Sequence, residues 1–309
     1  MSQASTSTCN VIENYMETQG KPELMSPDFF YPRRDIVCTE AFSHFLKEYH
    51  ANLDYFFFVI HLVTRVDEGR VRAAKALLTA EPDATKRTIY EGSAADPDAT
   101  LRELQKHSSV SSRNLTNGVV SAFQRYFSSI INSAATKRPE MISSSQMIRV
   151  DDILRFTRHK DLVAFIIDRK INDLSYGGLT EMEKYFDDRL GVRMFNDDRQ
   201  RDLLKFFVEV RNINVHNGGI VNDLFASRVG TVDGFPYVTG KLLHIDLEAL
   251  IKLSENAMRV ATQIDSNVAT KFSLKRKAHR KWSDARTRSK PSGQSDAKGK
   301  IPISPEENS

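Results

Sequence analysis

The sequence has 309 residues, 40% hydrophobic and 27% charged, which is ordinary for a soluble globular protein and long enough for one large or two small domains. Its net charge of +4 is a property of one end: positions 273–309 hold 10 Lys and Arg against 4 Asp and Glu, leaving 34 against 36 in the 272 residues before them. That excludes a generally basic nucleic-acid binder, so any contact of the body with RNA must be local.

Residues 1–34 are polar without a sustained period and read as a mostly disordered lead-in. A helical domain is expected over 35–272. From Ile36, Phe42, Phe45, Leu46, Tyr49, Leu53, Phe56, Phe57, Ile60 and Val63 recur at helical spacing, which predicts a central core helix, with Arg70 to Leu78 as a short extension. Pro82, Gly92, Pro97 and several acids then mark an acidic insertion near 79–108, expected as a loop. A second long helix is predicted over Val110 to Ala134, buried through Val119, Val120, Phe123, Tyr126, Phe127, Ile130 and Ile131. A third, Asp152 to Leu174, buries Leu154, Leu162, Phe165, Ile166 and Ile171, and carries a basic cluster, Arg155, Arg158, His159 and Lys160, that offers an RNA backbone contact.

Gly177 and Gly178 end that helix, Thr180 with Glu183 forms a capping box for the next, and Gly191 closes it. Asp197 or Asp198 caps a further helix, whose core stripe is Leu203, Phe206, Phe207, Val210 and Ile213 and whose stop is Gly218–Gly219. Three glycines, a proline and β-type residues predict a loop or small hairpin over Arg228 to Ile245, close to the end of that helix. A last helix, about Leu247 to Phe272, completes the bundle. Residues 273–309 read as a disordered basic tail in which Trp282 could stack a base.

The chemistry sits in RNINVHNGGIVN, Arg211 to Asn222. At 100° per residue, Lys205, Glu209, Asn212 and His216 share one polar line. Leu204, Val208 and Val215 form a second apolar line between it and Arg211, and a second apolar line on a helix that already has a core face predicts another helix, here from a second copy of the chain. Arginine presents a permanently charged planar fork that fits phosphate oxygens, and histidine gives and takes protons near neutral pH. Asn212, one turn before His216, could orient the imidazole or the phosphate, and Glu209 could tune the imidazole. RNA cleavage needs little more, because the 2′-hydroxyl of the substrate can itself attack phosphorus. The same Arg-to-His spacing recurs at Arg102 and His107 without the polar residue or the Gly-Gly stop.

RNINVHNGGIVN resembles the signature of the HEPN superfamily (higher eukaryotes and prokaryotes nucleotide-binding domain), in which an Arg, a polar residue and a His close the last core helix. NGVVSAFQRYF (Asn117 to Phe127) and INDLSYGGLTEMEKYFDDRLGV (Ile171 to Val192) look like the earlier and middle helices of its RiboL-PSP-like prokaryotic branch. The resemblance implies an all-α, up-and-down bundle of about five core helices and a homodimer. It further implies a metal-independent endoribonuclease without cofactors, set in toxin–antitoxin or antiviral defence and open to a cognate antitoxin or defence partner protein. Matched residue by residue, Arg211, Asn212 and His216 take the motif positions. Where the family often has an acid before the aromatic of the earlier helix, this chain has Gln124 and Arg125 before Tyr126.

Cys9 and Cys38 are too few for a disulfide framework and lack metal-ligand spacing, and no P-loop, GxGxxG, HExxH or nucleophile elbow occurs. The longest apolar run, Tyr55 to Val63, falls far short of a membrane span, and no basic-then-apolar leader precedes it, so a cytoplasmic protein is expected. The expected function is cleavage of RNA at a dimer-interface cleft by His216, Arg211, Asn212 and Glu209. The rival expectation is a non-catalytic helical interaction module, a nuclease-dead partner of the same family.

Overall fold

A computed structural model describes residues 30–32, 35–142 and 149–282. Most of the expected lead-in (1–29 and 33–34), the serines at 143–145 and the tail beyond 282 lie outside the described residues. The fold is all-α: 76% of it is helical, and extended structure is almost absent. In chain order the elements are β1 (Val37–Cys38), α1 (Glu40–Ala80), α2 (Ala84–Ala95), α3 (Ala99–Lys106), α4 (Ser108–Lys137), α5 (Val150–Leu154), α6 (His159–Tyr185), α7 (Asp198–His216), α8 (Asp223–Val229), α9 (Leu247–Lys271) and β2 (Lys277–Ala278).

The centre of the bundle is α4. It touches α1, α6, α7 and α9, and its buried residues, from Leu115 through Val119, Phe123, Tyr126, Phe127 and Ile130 to Ala134, point to several sides rather than one. Each fully buried phenylalanine contributes roughly 1.5–3 kcal/mol of hydrophobic stabilisation. The approach of α1 to α4 is close enough that a Cβ at Gly118 would displace the Asn52 side-chain amide. Tyr126 keeps its buried hydroxyl satisfied by donating to the Ala261 carbonyl at 3.0 Å, which links α4 to α9.

The first helix is a single element of 41 residues, not a core helix with a short extension. Only its first half belongs to the core: beyond Phe57 its buried residues are Asp67 and Ala74. The expected loop near 79–108 is helical instead. Asp83 caps α2, accepting from the amides of Thr85 at 2.8 Å and Lys86 at 3.1 Å, and Pro97 separates α2 from α3. Both short helices lie along the outer half of α1, making an arm. Its clasp is Asp67, whose carboxylate accepts from the amides of Thr100 at 3.1 Å and Leu101 at 3.0 Å and pairs with Arg70 at 3.2 Å.

The third predicted helix is broken in two. After α5 the chain restarts at His159, and Leu154, expected in the core, is exposed. The Gly177–Gly178 stop is real: Gly178 has φ 75° and ψ −175°, which ends one helical run inside α6 and starts another. A π-helical turn, Phe186–Leu190, follows and is closed by Gly191 in the left-handed conformation. Glu183 is engaged by Arg201 at 2.7 Å, which ties the second half of α6 to the start of α7.

Both ends of the expected domain extend. Phe30 donates its amide to Glu255 at 3.0 Å and lies under the Arg259 guanidinium, while Tyr31 stacks on His50. Past Phe272, β2 pairs antiparallel with β1, and the His279 ring is buried with Nδ1 2.7 Å from the Ser43 hydroxyl. Trp282 donates its indole N–H to the Cys38 carbonyl at 3.0 Å. The domain therefore runs to Trp282, and positions 273–282 are a strap rather than tail. Beneath it Asp265 is buried and accepts from the Thr39 amide at 3.1 Å and hydroxyl at 2.5 Å; burial raises its pKa against the pull of those hydrogen bonds. Burial, with the nearby Asp265 carboxylate, also pushes the Cys38 thiol up to about 12, which makes it an inert neutral group. No described helix is long and apolar enough to cross a membrane.

Candidate active site

Helix α7 runs as expected from the Asp197 cap, whose carboxylate accepts from the Gln200 amide at 2.8 Å, to His216. Asn256 of α9 donates to the Gln200 carbonyl at 3.0 Å, which fixes its starting end against the bundle. At the far end the amides of Asn217 and Gly219 both return to the Ile213 carbonyl, at 2.8 and 3.0 Å, while Gly218 and Gly219 take φ of 61° and 86°. The chain then leads into α8, capped by Asn222, and into a loop that folds back. Ile220 bridges to Leu242, and the Leu243 amide donates to the Gly219 carbonyl at 2.9 Å. Phe235 of this loop packs at a tilt against Phe206, and Tyr237 meets Phe225 edge to face. The expected loop thus lies where it was placed, beside the motif, but it begins after Val229: Arg228, assigned to the loop, belongs to α8.

These elements enclose a cavity of about 860 Å³ with walls from α4, α6, α7 and α8. Arg211, Asn212, His216 and Glu209 all line it. Across five helical residues Arg211 and His216 are displaced by about 7.5 Å along the axis and about 140° around it, so they flank the cavity rather than touch. His216 is exposed, and Arg211 is half-buried. Asn212 turns its side-chain oxygen to Arg211 Nη1 at 3.3 Å, so it holds the guanidinium rather than the imidazole.

Two expectations about α7 are corrected. Leu204 and Val208 are buried in the monomer core, so the second apolar line is covered within the chain and needs no second copy; of that line only Val215 remains exposed. Glu209 is not on a solvated polar line. It is buried, and both of its oxygens accept from Arg228 Nη1, at 3.3 and 3.4 Å. Its partner is a guanidinium of α8, not His216.

The electrostatics of the cavity are uneven. Of its three arginines, Arg125 pairs with Glu48 of α1, its Nε at 3.1 Å from the carboxylate, and Arg228 pairs with Glu209. Arg211 faces no carboxylate among the described residues, and its Nε is buried without a hydrogen-bond partner. Arg125 lines the cavity with its charge met by Glu48. Sequence alone does not single out Arg228, because the glycines and proline of 228–245 make the whole stretch look like one loop. The signal for it was present: Asn222 is a cap residue, and Leu224, Phe225 and Val229 are spaced for a short helix that would carry Arg228 back toward α7.

The remaining candidates lie elsewhere. Arg155, Arg158 and Lys160 are exposed at the break between α5 and the start of α6, with Arg158 paired to Asp161 at 2.7 Å, and none of them lines the cavity. Trp282 is held on the strap with the Lys277 ammonium 4.6 Å from its ring centre, not on a free tail. The second Arg-to-His match lies on the arm, where Arg102 pairs with Asp96. Among the described residues no group of three or more His, Cys, Asp or Glu stands where it could hold a metal ion.

No family model, curated protein or solved structure matches the chain. The functional reading therefore rests on the cavity.

Proposed function

We propose that this chain is a HEPN-type endoribonuclease that cleaves RNA without a metal, at a cleft shared by two copies. The observation that carries the reading is Arg211: a half-buried guanidinium paired with no carboxylate among the described residues, beside an exposed histidine in one cavity. A phosphate would supply the opposite charge that this guanidinium lacks.

In the reaction, a base takes the proton of the RNA 2′-hydroxyl and the 2′-oxygen attacks phosphorus. The bond from phosphorus to the 5′-oxygen breaks, and an acid protonates the departing 5′-oxygen. The products are a 2′,3′-cyclic phosphate and a 5′-hydroxyl. Arg211 clamps the phosphate and balances charge as it spreads over the equatorial oxygens. Asn212 holds that guanidinium and keeps its NH2 available to the same phosphate. His216 exchanges the protons. One copy offers one such histidine, so base and acid come from two copies facing each other. Exposed Val215, Ile220, Leu224 and Leu242 at this end of α7 supply an apolar margin for that contact in place of the buried Leu204 and Val208. The setting in defence or toxin–antitoxin biology, and a protein partner there, rest on the resemblance alone.

The test is a labelled RNA incubated with purified protein in EDTA. Fragments ending in 2′,3′-cyclic phosphate that vanish in Arg211→Ala and His216→Ala support the enzyme. The same apolar margin would serve the rival reading, a non-catalytic interaction module, and an intact dimer that leaves RNA whole would favour it.

A further inference from the structure

The pairing of Glu209 with Arg228 poses a separate question: why a site for an anion should contain a buried carboxylate. Glu209 lies on the wall of the cavity that holds Arg211, on the same helix two residues earlier. A lone carboxylate there would repel a phosphate. Arg228 answers it from α8, but in an unusual way. It reaches both Glu209 oxygens through one nitrogen, Nη1, at 3.3 and 3.4 Å, where a guanidinium committed to a carboxylate presents two nitrogens in a fork at shorter range. The side chain of Arg228 is 46% exposed while that of Glu209 is 9% exposed. The pair thus has a fixed, sunken end and an open end, and the open end lies at the cavity with spare donors.

We propose that Arg228 is a second phosphate-binding residue of this site, and that Glu209 is its positioning residue. Glu209 holds Nη1 at the wall, and the remaining donors of the guanidinium reach a phosphate oxygen of the strand other than the phosphate held by Arg211. Two guanidiniums from two helices then grip two phosphates of a single strand, which sets the line along which that strand crosses the cavity. This inference rests on the proposed RNA site but not on catalysis in it.

The experiment uses a fluorescent single-stranded RNA with 2′-O-methyl groups throughout, which cannot be cleaved by 2′-attack, and measures its affinity by anisotropy over a range of salt. Arg228→Ala is expected to weaken binding about tenfold and to lower the slope of log affinity against log salt by about one, as loss of one phosphate contact does. Arg228→Lys restores the slope and part of the affinity. Because Arg228→Ala also strands the Glu209 charge, the double variant Glu209→Gln with Arg228→Gln removes both charges and the folding penalty with them. Measured against Glu209→Gln alone, it should still show the tenfold loss and the lower slope. Affinity and slope in that double variant equal to those of Glu209→Gln alone would overturn the inference and assign Arg228 a purely structural role in covering Glu209. Cleavage of unmodified RNA, followed in parallel, reports on the enzyme reading: binding that depends on Arg228 without cleavage upholds the inference while the enzyme reading fails.

Discussion

Gly219→Ala tests whether the Gly-Gly stop shapes the site. Gly219 has φ 86°, and an L-residue in left-handed backbone costs about 1–2 kcal/mol. The added methyl would lie 3.1 Å from Leu242 Cδ1 and 3.2 Å from Asn214 Oδ1, both tighter than ordinary contact. These are side-chain ends that can give a little, so overpacking adds at most about 1 kcal/mol. Reduced freedom of the unfolded chain returns about 0.5 kcal/mol. The net loss is about 0.5–2.5 kcal/mol, which for a chain of this size lowers the melting temperature by roughly 1–10 °C. Gly218→Ala is the internal comparison. Its φ of 61° lies near the centre of the left-handed region and a Cβ there meets nothing within 4 Å, so it should lose only about 0.5–1 kcal/mol. Thermal unfolding of the three proteins side by side checks the order. A Gly219→Ala protein no less stable than Gly218→Ala would refute the close approach of the returning loop to the end of α7.

Two further outcomes follow from the clasp and the strap. Burial pushes the Asp67 carboxyl up, but its hydrogen bonds from Thr100 and Leu101, with Arg70, outweigh that and bring it from 3.8 to about 2. A depressed carboxylate stabilises the fold fully above its unfolded value and loses that contribution as pH falls from about 4 through about 2, so the arm should open over that window. Hydrogen exchange of the α3 amides should rise there, and Asp67→Asn should show the rise already at neutral pH; unchanged exchange in the variant would contradict the clasp. Compared with truncation after Trp282, truncation after Phe272 removes β2, His279 and the cover over Cys38 and should lower the melting temperature by several degrees, at roughly 1–3 kcal/mol for the buried polar groups left unpaired. Equal stability of the two truncations would return 273–282 to the tail.

Helix α7 was legible in the sequence because its signals are local: a cap at Asp197, a core stripe from Leu203 to Ile213, and two glycines at its end. The same holds for the breaks at Gly178 and Gly191 and for the apolar repeat of α9. What escaped depends on long-range contacts. Leu204 and Val208 formed an apolar line that could meet any neighbour, and nothing in their spacing says whether it is another part of the same chain or a second copy. Glu209 looks solvated by period alone, because burial of a carboxylate depends on a guanidinium 19 residues later. The arm hid behind Pro82 and Pro97, which mark the gaps between helices as readily as a loop. Residues 273–282 have the composition of a tail, and their order comes from two-residue pairing with β1 and from one buried histidine, signals too short to stand out from the basic residues around them.

The central claim is a groove that two copies build together, and mixing an inactive variant with wild-type protein addresses it most directly. His216→Ala protein is expected to leave a labelled RNA intact in EDTA. Combined with wild-type protein under conditions that allow subunits to exchange, it forms mixed dimers whose cleft holds one histidine where acid and base need two. The rate of cleavage to 2′,3′-cyclic phosphate ends should then fall as the square of the wild-type fraction. A rate that falls only in proportion to that fraction, while subunits exchange, would contradict the shared groove.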